Sequence, residues 1–254
     1  MMIGVVVVTY NSEQYIADCL RAVFDELGEQ DACVVVVDNE SWDGVVELVR
    51  EGFPTVGVID NPDNRGYSQA VNQGIRRCLE RGCDLVLLLN PDTKMEKGSL
   101  AETIQVLMAD EKRMIVQPLM TLMREPDRVN TWGNRYRGFG LVTVDGYGKR
   151  VAQGMVDRQI EYASGACMLV KASVFEQVGL FNERFFLYFE DTEFSQRARK
   201  AGGEIWLAAN ARVQHDYQRP LSPRKLGNFL RGWWRYFREG SLPSLLSSPG
   251  PRSP

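Results

Sequence analysis

The sequence predicts an α/β fold built on a mainly parallel sheet flanked by helices, and two observations carry that prediction. The chain opens on Ile3–Thr9, a continuous run rich in β-branched residues, of the kind buried on both faces of a parallel sheet. Strand-like and helix-like segments then alternate as far as Asn90, the rhythm of βα units.

Taken in order, Ser12 stands where it would cap the first helix, and Glu13 places negative charge in its first turn. Tyr15, Ile16, Cys19, Leu20, Val23 and Phe24 follow at helical spacing. A strand over Cys33–Val37 and a helix come next, then a strand over Val56–Ile59, a helix over Tyr67–Glu80 and a strand over Leu85–Leu89. Beyond a helix near Ser99–Ala109 the alternation stops, and Thr131–Gly148 reads as loop or irregular strand. Order resumes with a strand at Cys167–Val170. Helices over Ala172–Val178 and Asp191–Ala201 flank an aromatic-rich loop, and strand-like Glu204–Ala208 leads on to Val213 and His215.

The composition excludes several classes. With 30 Lys and Arg against 33 Asp and Glu, the net charge of -3 lacks the basic excess of a nucleic-acid binder, so no nucleic acid is expected as a partner. Five cysteines, odd in number and without CxxC spacing, read as buried thiols in a reducing compartment. Ile3–Val8 is too short for a signal-peptide core, so a cytoplasmic location is expected. No apolar run approaches the roughly 20 residues of a membrane span, which leaves peripheral contact at the inner face of the plasma membrane.

Open sheets of this kind bind ligands outside the carboxyl ends of their strands, which directs attention to Thr9, Asp38, Asp60 and Asp92. No GxGxxG follows the first strand and no GxxxxGK[ST] occurs, so a nucleotide would be held another way. Asp38 could accept the imino hydrogen of a pyrimidine, with Thr9 and Asn11 beside it, or it merely starts a turn. Asp92 of Asn90-Pro91-Asp92 offers the oxygen ligand that a hard cation on a diphosphate wants, although the tripeptide is also a common turn. His215 is the sole histidine, which excludes multi-histidine metal sites. It could join Asp92 in a mixed O/N site suited to Mg²⁺ or Mn²⁺, or serve structure alone. No GxSxG elbow supports a hydrolase. Glu190 and Asp191 fall at a helix N-terminus, where the dipole favours an ionised acid able to take a proton from a sugar hydroxyl. The competing reading makes them capping acids. The preceding Phe185–Phe189 run offers stacking faces for a carbohydrate, or core aromatics.

Read together, these segments resemble glycosyltransferase family 2, within it the rhamnosyltransferase-like branch that builds bacterial surface polysaccharides. Val5–Asn11 resembles the opening strand and nucleotide-binding turn, and Val34–Asn39 the second strand. NRGYSQAVNQG (Asn64–Gly74), LLLNPDT (Leu87–Thr93) and SGACMLV (Ser164–Val170) are similar to further motifs of the branch, and Phe181–Gly202 is the most specific match. The resemblance implies a GT-A fold and a single displacement with inversion, using a divalent metal, Mg²⁺ or Mn²⁺. It implies Asp191 as catalytic base, Asp92 as metal ligand and His215 as the distal ligand to metal or diphosphate. Thr9, Tyr10, Asn11 and Asp38 would contact the nucleotide, together with Asn64, Arg65, Gly66 and Asn90. Gly165, Ala166 and Glu190 would shape the sugar and acceptor pocket.

Branch membership implies dTDP-L-rhamnose as donor, with UDP-sugars using the same framework, and a saccharide or lipid-linked acceptor. The chain departs from the family where Asn90 replaces the first carboxylate of Asp-x-Asp, and where Asp216 and Tyr217 follow His215. The rival readings are a non-catalytic nucleotide-sugar-binding protein and a nucleotidyltransferase, though the latter would carry a Gly-rich basic loop where Thr9-Tyr10-Asn11-Ser12 stands. The domain reading is a single unit over residues 1–240: a nucleotide-binding half (1–95), an acceptor half (96–221) and an amphipathic helix (222–240), with a disordered Ser- and Pro-rich tail at 241–254.

In that helix Leu226, Phe229, Leu230, Trp233 and Phe237 share one face, and Arg224, Arg231, Arg235 and Arg238 another. Such a helix can lie in an anionic membrane surface or pack its apolar face on the domain.

Overall fold

The computed structural model describes residues 1–137, 142–217 and 223–238. The expected tail at 241–254 and the ends of the 222–240 segment lie outside them. The first half runs β1 (Ile3–Thr9), α1 (Glu13–Leu27), β2 (Ala32–Asn39), α2 (Val45–Gly52), β3 (Gly57–Asn61), α3 (Tyr67–Glu80) and β4 (Leu85–Leu89). β1 pairs in parallel with both β2 and β4, and β2 pairs in parallel with β3. Alternate side chains feed two cores: Val5 and Val7 join the layer containing Ile16, Leu20 and Val49, whereas Val6 joins Val71, Ile75 and Phe194. α3 lies close against β1 because residue 74 is glycine; a Cβ there would overlap Val6.

The second half comprises β5 (Thr93–Met95), α4 (Ser99–Met108), β6 (Arg113–Leu122), β7 (Glu125–Thr131), β8 (Asn134–Tyr136), β9 (Val142–Val144), β10 (Arg158–Ile160) and β11 (Cys167–Lys171), then α5 (Ala172–Val178), α6 (Glu190–Lys200), β12 (Glu204–His215) and α7 (Pro223–Tyr236). Among the described residues ten strands form one sheet, in the order β10, β12, β6, β11, β4, β1, β2, β3, with β5 on β12 and β7 on β6. β11 runs antiparallel between β4 and β6, and β12 runs parallel to β6.

Two expectations need correction. Ser12 occupies the N-cap of α1 without capping it: its hydroxyl donates to Tyr10 O at 3.3 Å, and Asp43 Oδ2 instead accepts from the Glu13 amide at 2.8 Å. The end of the alternation beyond α4 is corrected too: the ten-residue strand β6, ahead of the irregular Thr131–Gly148 region, lies inside the sheet between β12 and β11 despite Pro118. Pro118 pairs with Ala208 where the β6–β12 register shifts, a break in the ladder that tolerates a residue with no amide hydrogen.

Candidate active site

A cleft of about 570 Å³ opens at the carboxyl ends of the strands. Thr9, Tyr10, Asn11, Asn64, Gly66 and Asn90 line it, together with Asp92, His215, Phe186 and Tyr188. Arg65, Asp38, Gly165, Ala166, Glu190 and Asp191 are not among its lining residues. Arg65 is turned to an ion pair with Asp63 at 2.8 Å.

Asp38 is buried directly beneath the cleft floor. Its Oδ1 accepts from Thr9 Oγ1 at 2.7 Å and from Ser41 Oγ at 2.6 Å, and its Oδ2 accepts from the Ser41 amide at 2.8 Å. Ser41 Oγ in turn accepts from the Asn11 amide at 2.8 Å. The carboxylate therefore both starts the turn and ties it to the end of β1. Asn11 and Glu40, at the two turns, hold φ of 53° and 66°, strained backbone for non-glycine residues. At the floor's other side Asn39 Nδ2 donates to Gly66 O at 3.1 Å. Gly66 is required by close approach: a Cβ would stand 2.6 Å from Phe186 O.

At the seam between the halves, β5 pairs with the end of β12, setting Thr93 opposite His215. Asp92 Oδ1 and His215 Nε2 lie 3.4 Å apart. His215 Nδ1 is 3.0 Å from Asn130 Oδ1, and both residues are buried. Since a carbonyl oxygen only accepts, this contact calls for a proton on Nδ1, and in the tautomer protonated there alone the Nε2 lone pair faces Asp92. A carboxylate oxygen beside a free imidazole lone pair fits a divalent cation. Asp216 is turned the other way: Tyr15 donates to its Oδ2 at 2.6 Å and Arg124 pairs with its Oδ1 at 3.2 Å, while its amide donates to Asp92 O at 2.9 Å. The hydrogen bond to Asp216, then burial, pushes the Tyr15 hydroxyl up to about 12, so it stays a neutral donor.

Asp191 sits one layer behind the cleft wall. Its Oδ2 accepts from the Gly165 amide at 2.8 Å and its Oδ1 from the Thr192 amide at 2.6 Å. Tyr67, which lines the cleft, donates its hydroxyl to Gly165 O at 3.1 Å. Glu190 is buried and its Oε2 has no hydrogen-bond partner. Burial, and then the Asp191 charge, raises Glu190 to about 8. Burial also raises Asp191, against the lowering effect of the Gly165 and Thr192 donors. The expectation that the helix dipole favours the ionised acid is thereby corrected for Glu190, where desolvation outweighs the dipole and the carboxyl holds its proton near neutrality.

The Phe185–Phe189 run splits between its two readings. Phe185 and Phe189 are core, packed with Tyr236, whereas Phe186 and Tyr188 face the cleft. Tyr188 and Phe189 hold φ of 71° and 70°, so two strained aromatic residues immediately precede Glu190. Asn72 clamps this loop to α3, its Oδ1 accepting from the Phe181 amide at 3.0 Å and its Nδ2 donating to Phe181 O at 2.8 Å. Sequence reading missed Asn130 and Tyr15, whose partners are remote in the chain, Ser41, which bonds both nearby Asp38 and distant Asn11, and Asn72, which lay in plain view inside NRGYSQAVNQG.

α7 buries Tyr236 against Phe189 and brings Gly232 so close that a Cβ would stand 2.7 Å from Tyr188 O. Leu226, Phe229, Leu230 and Trp234 stay exposed. The single apolar face expected from sequence is thus corrected: Trp233 packs inward and Trp234 joins the exposed stripe. Arg235 lies 6.0 Å over the Phe185 ring, while Arg231 and Arg238 are exposed. The Arg224 side chain lies outside the described residues.

A mainly parallel sheet flanked by helices and extended by antiparallel strands is the GT-A glycosyltransferase architecture. The structure matches that of GalNAc-T7 with UDP, GalNAc and Mn²⁺ at a TM-score of 0.72 and 17% identity, over 100% of this chain and 52% of the other. The model of the family described as "Glycosyltransferase like family 2" matches residues 2–236, and the chain belongs to that family. It is 32% identical to the low-salt glycan biosynthesis hexosyltransferase Agl10 of Haloferax volcanii over 78% of this chain, and spans 62% of that relative's length. It is 27% identical to the N-acetylglucosaminyl-diphospho-decaprenol L-rhamnosyltransferase of Mycobacterium tuberculosis, over 92% of this chain and 87% of the relative. Among the described residues no helix is long and apolar enough to cross a membrane.

Proposed function

We propose that this chain is an inverting glycosyltransferase that moves L-rhamnose from dTDP-L-rhamnose onto a saccharide or lipid-linked acceptor in surface polysaccharide synthesis. The observation that carries the reading is the pairing, in one cleft system, of Asp92 and His215 at 3.4 Å with a buried carboxylate, Asp191, across the Tyr67 wall. The mycobacterial relative's printed activity supports both the sugar and the lipid-linked acceptor. Asp92 and His215 would hold a divalent cation, Mg²⁺ or Mn²⁺, whose charge stabilises a departing nucleoside diphosphate; the solved neighbour that carries UDP and Mn²⁺ supports this.

Within that reading Thr9, Tyr10, Asn11, Asn64, Gly66 and Asn90 bind and orient the nucleotide sugar, and Asp38 holds the turn beneath them. Asp191 accepts the proton of the attacking acceptor hydroxyl, with its oxygens held by Gly165 and Thr192. Glu190, protonated near neutrality, leaves Asp191 as the ionised member of the pair. One sheet running through both halves supports reading residues 1–240 as a single domain. Asn228 of α7 lines the cleft, and the exposed stripe of Leu226, Phe229, Leu230 and Trp234 beside Arg231 and Arg238 supports peripheral contact with an anionic membrane at the cytoplasmic face.

The test is thermal unfolding with a panel of nucleotide sugars, with and without Mn²⁺. dTDP-L-rhamnose plus Mn²⁺ is expected to raise Tm most. A larger shift from a UDP-sugar would move the donor assignment, and no shift from any nucleotide sugar would overturn the reading. Co-sedimentation with anionic liposomes, compared with protein truncated after residue 223, tests the membrane contact. Salt-sensitive binding of the intact form alone is expected, and equal sedimentation of the two forms would leave α7 as a packing element.

A further inference from the structure

The amino-terminal edge of the sheet, opposite the cleft, holds three thiols that are distant in sequence. Cys33 is the second residue of β2, Cys78 lies in the last turn of α3, and Cys83 stands just before β4. Their Sγ atoms all lie within 4.8 Å of one another. Three thiolates around one cation, each at about 2.3 Å, sit roughly 4 Å apart, so the folded backbone already holds the sulfurs near that spacing. Two local features arrange this. Residue 4 is glycine, and a Cβ there would stand 2.7 Å from Cys78 Sγ and 3.3 Å from Cys83 Sγ. The Cys83 amide donates to Cys78 O at 3.1 Å, closing the turn that brings those two sulfurs together. Cys78 and Cys83 are buried and Cys33 is partly exposed, so the cluster opens to water on one side. Cys19 and Cys167 belong to the core layer on the other face of the sheet.

We propose that Cys33, Cys78 and Cys83 form a site for one thiophilic divalent cation of the zinc class, separate from the Asp92–His215 seam, with water as fourth ligand on the Cys33 side. Charge selects the valence. Three thiolates around a divalent ion leave one net negative charge, whereas a monovalent ion leaves two, and uncompensated charge in an apolar setting is costly. Asp84, the adjacent carboxylate, already accepts from the Met2 amide at 2.7 Å, which favours water over carboxylate in the fourth position. Binding breaks three S–H bonds, forms three metal–sulfur bonds and releases three protons to solvent, with no change of oxidation state. Burial, and then the neighbouring sulfurs, pushes the Cys78 thiol up and Cys83 to about 11, so the cation must displace the protons of these two thiols. The bound ion would tie β2, α3 and the approach to β4 together at the base of the nucleotide half.

The test titrates the reduced full-length protein with Cd²⁺, reading the ultraviolet thiolate-to-cadmium charge-transfer band and the number of thiols open to Ellman's reagent. The band is expected to saturate at one equivalent, protect the three clustered thiols, and persist in Cys167→Ser and His215→Ala. It should be lost in Cys78→Ser and in Cys33→Ser. Because Cys33 is partly exposed, Cys33→Ser is the variant expected to keep its fold, which circular dichroism checks. No saturable band in the unaltered protein, or an undiminished band in folded Cys33→Ser, overturns the proposal.

Discussion

The two halves of the sheet differ in how their strands find partners. From β1 to β4 every strand pairs in parallel with a strand reached through nearby βα units. In the other half β11 enters antiparallel between β4 and β6, and β12 returns from far along the chain to lie beside β6 and β5. The cleft spans this boundary: the first half contributes Thr9, Asn64 and Gly66, the second contributes His215, and Asp92 stands at the joint. Local repetition builds a platform, and long-range pairing brings reactive groups to its edge. The contrast predicts that Asp191, deep in the second half, governs turnover, while Asp92 and His215, which meet at the joint, govern binding.

The largest effect is expected from Asp191→Asn. Loss of a general base should lower transfer by about 10²–10⁴-fold, while donor affinity measured by calorimetry stays near that of the parent. Near-parental turnover would remove Asp191 from the role and make Glu190 the next residue to test. At the joint, Asp92→Ala should weaken donor binding and abolish stimulation by Mn²⁺, and His215→Ala should do so less severely. If both variants kept metal-dependent nucleotide affinity, the joint would not be a metal site.

A finer test removes the support of His215 and leaves the ligand in place. Asn130→Leu deprives Nδ1–H of its acceptor and should cost about 10- to 100-fold in Mn²⁺ affinity, as loss of a partner behind a ligand does. Asn130→Asp should retain most of it. Nitrogen NMR of the imidazole reads the tautomer directly, and an unchanged tautomer in Asn130→Leu would show the contact to be packing only.

The smallest effect concerns pH. Glu190 binds its proton more tightly folded, at about 8, than unfolded, near the ordinary 4.5. The folded state therefore carries more protons across that window, and stability should fall as pH rises through it, by at most about 1.4 kcal/mol per unit. Glu190→Gln should flatten the slope in denaturant titrations at several pH values, and an unchanged slope would assign it to other groups.

Legibility followed the same divide. α3 at Tyr67–Glu80, β4 at Leu85–Leu89 and α5 at Ala172–Val178 coincide with the segments expected from periodicity. β6 did not declare itself, because Pro118 weakens a strand signal and its place in the sheet depends on a bulge in β12. Phe185–Phe189 was ambiguous because stacking and core residues share one composition, and only the turn at Tyr188 and Phe189 separates them.

The sequence by itself determined the alternation of the first half, the burial of its β-branched strands, and the candidate acids and histidine, since side-chain period and strand-end position are local properties. Only the tertiary structure decided that Asn130 stands behind His215, that Ser41 and Thr9 occupy Asp38, that three thiols converge beneath Gly4, and that Glu190 keeps its proton. Each of these depends on distances and burial that the folded chain alone sets, and neither quantity is written in the order of residues along it.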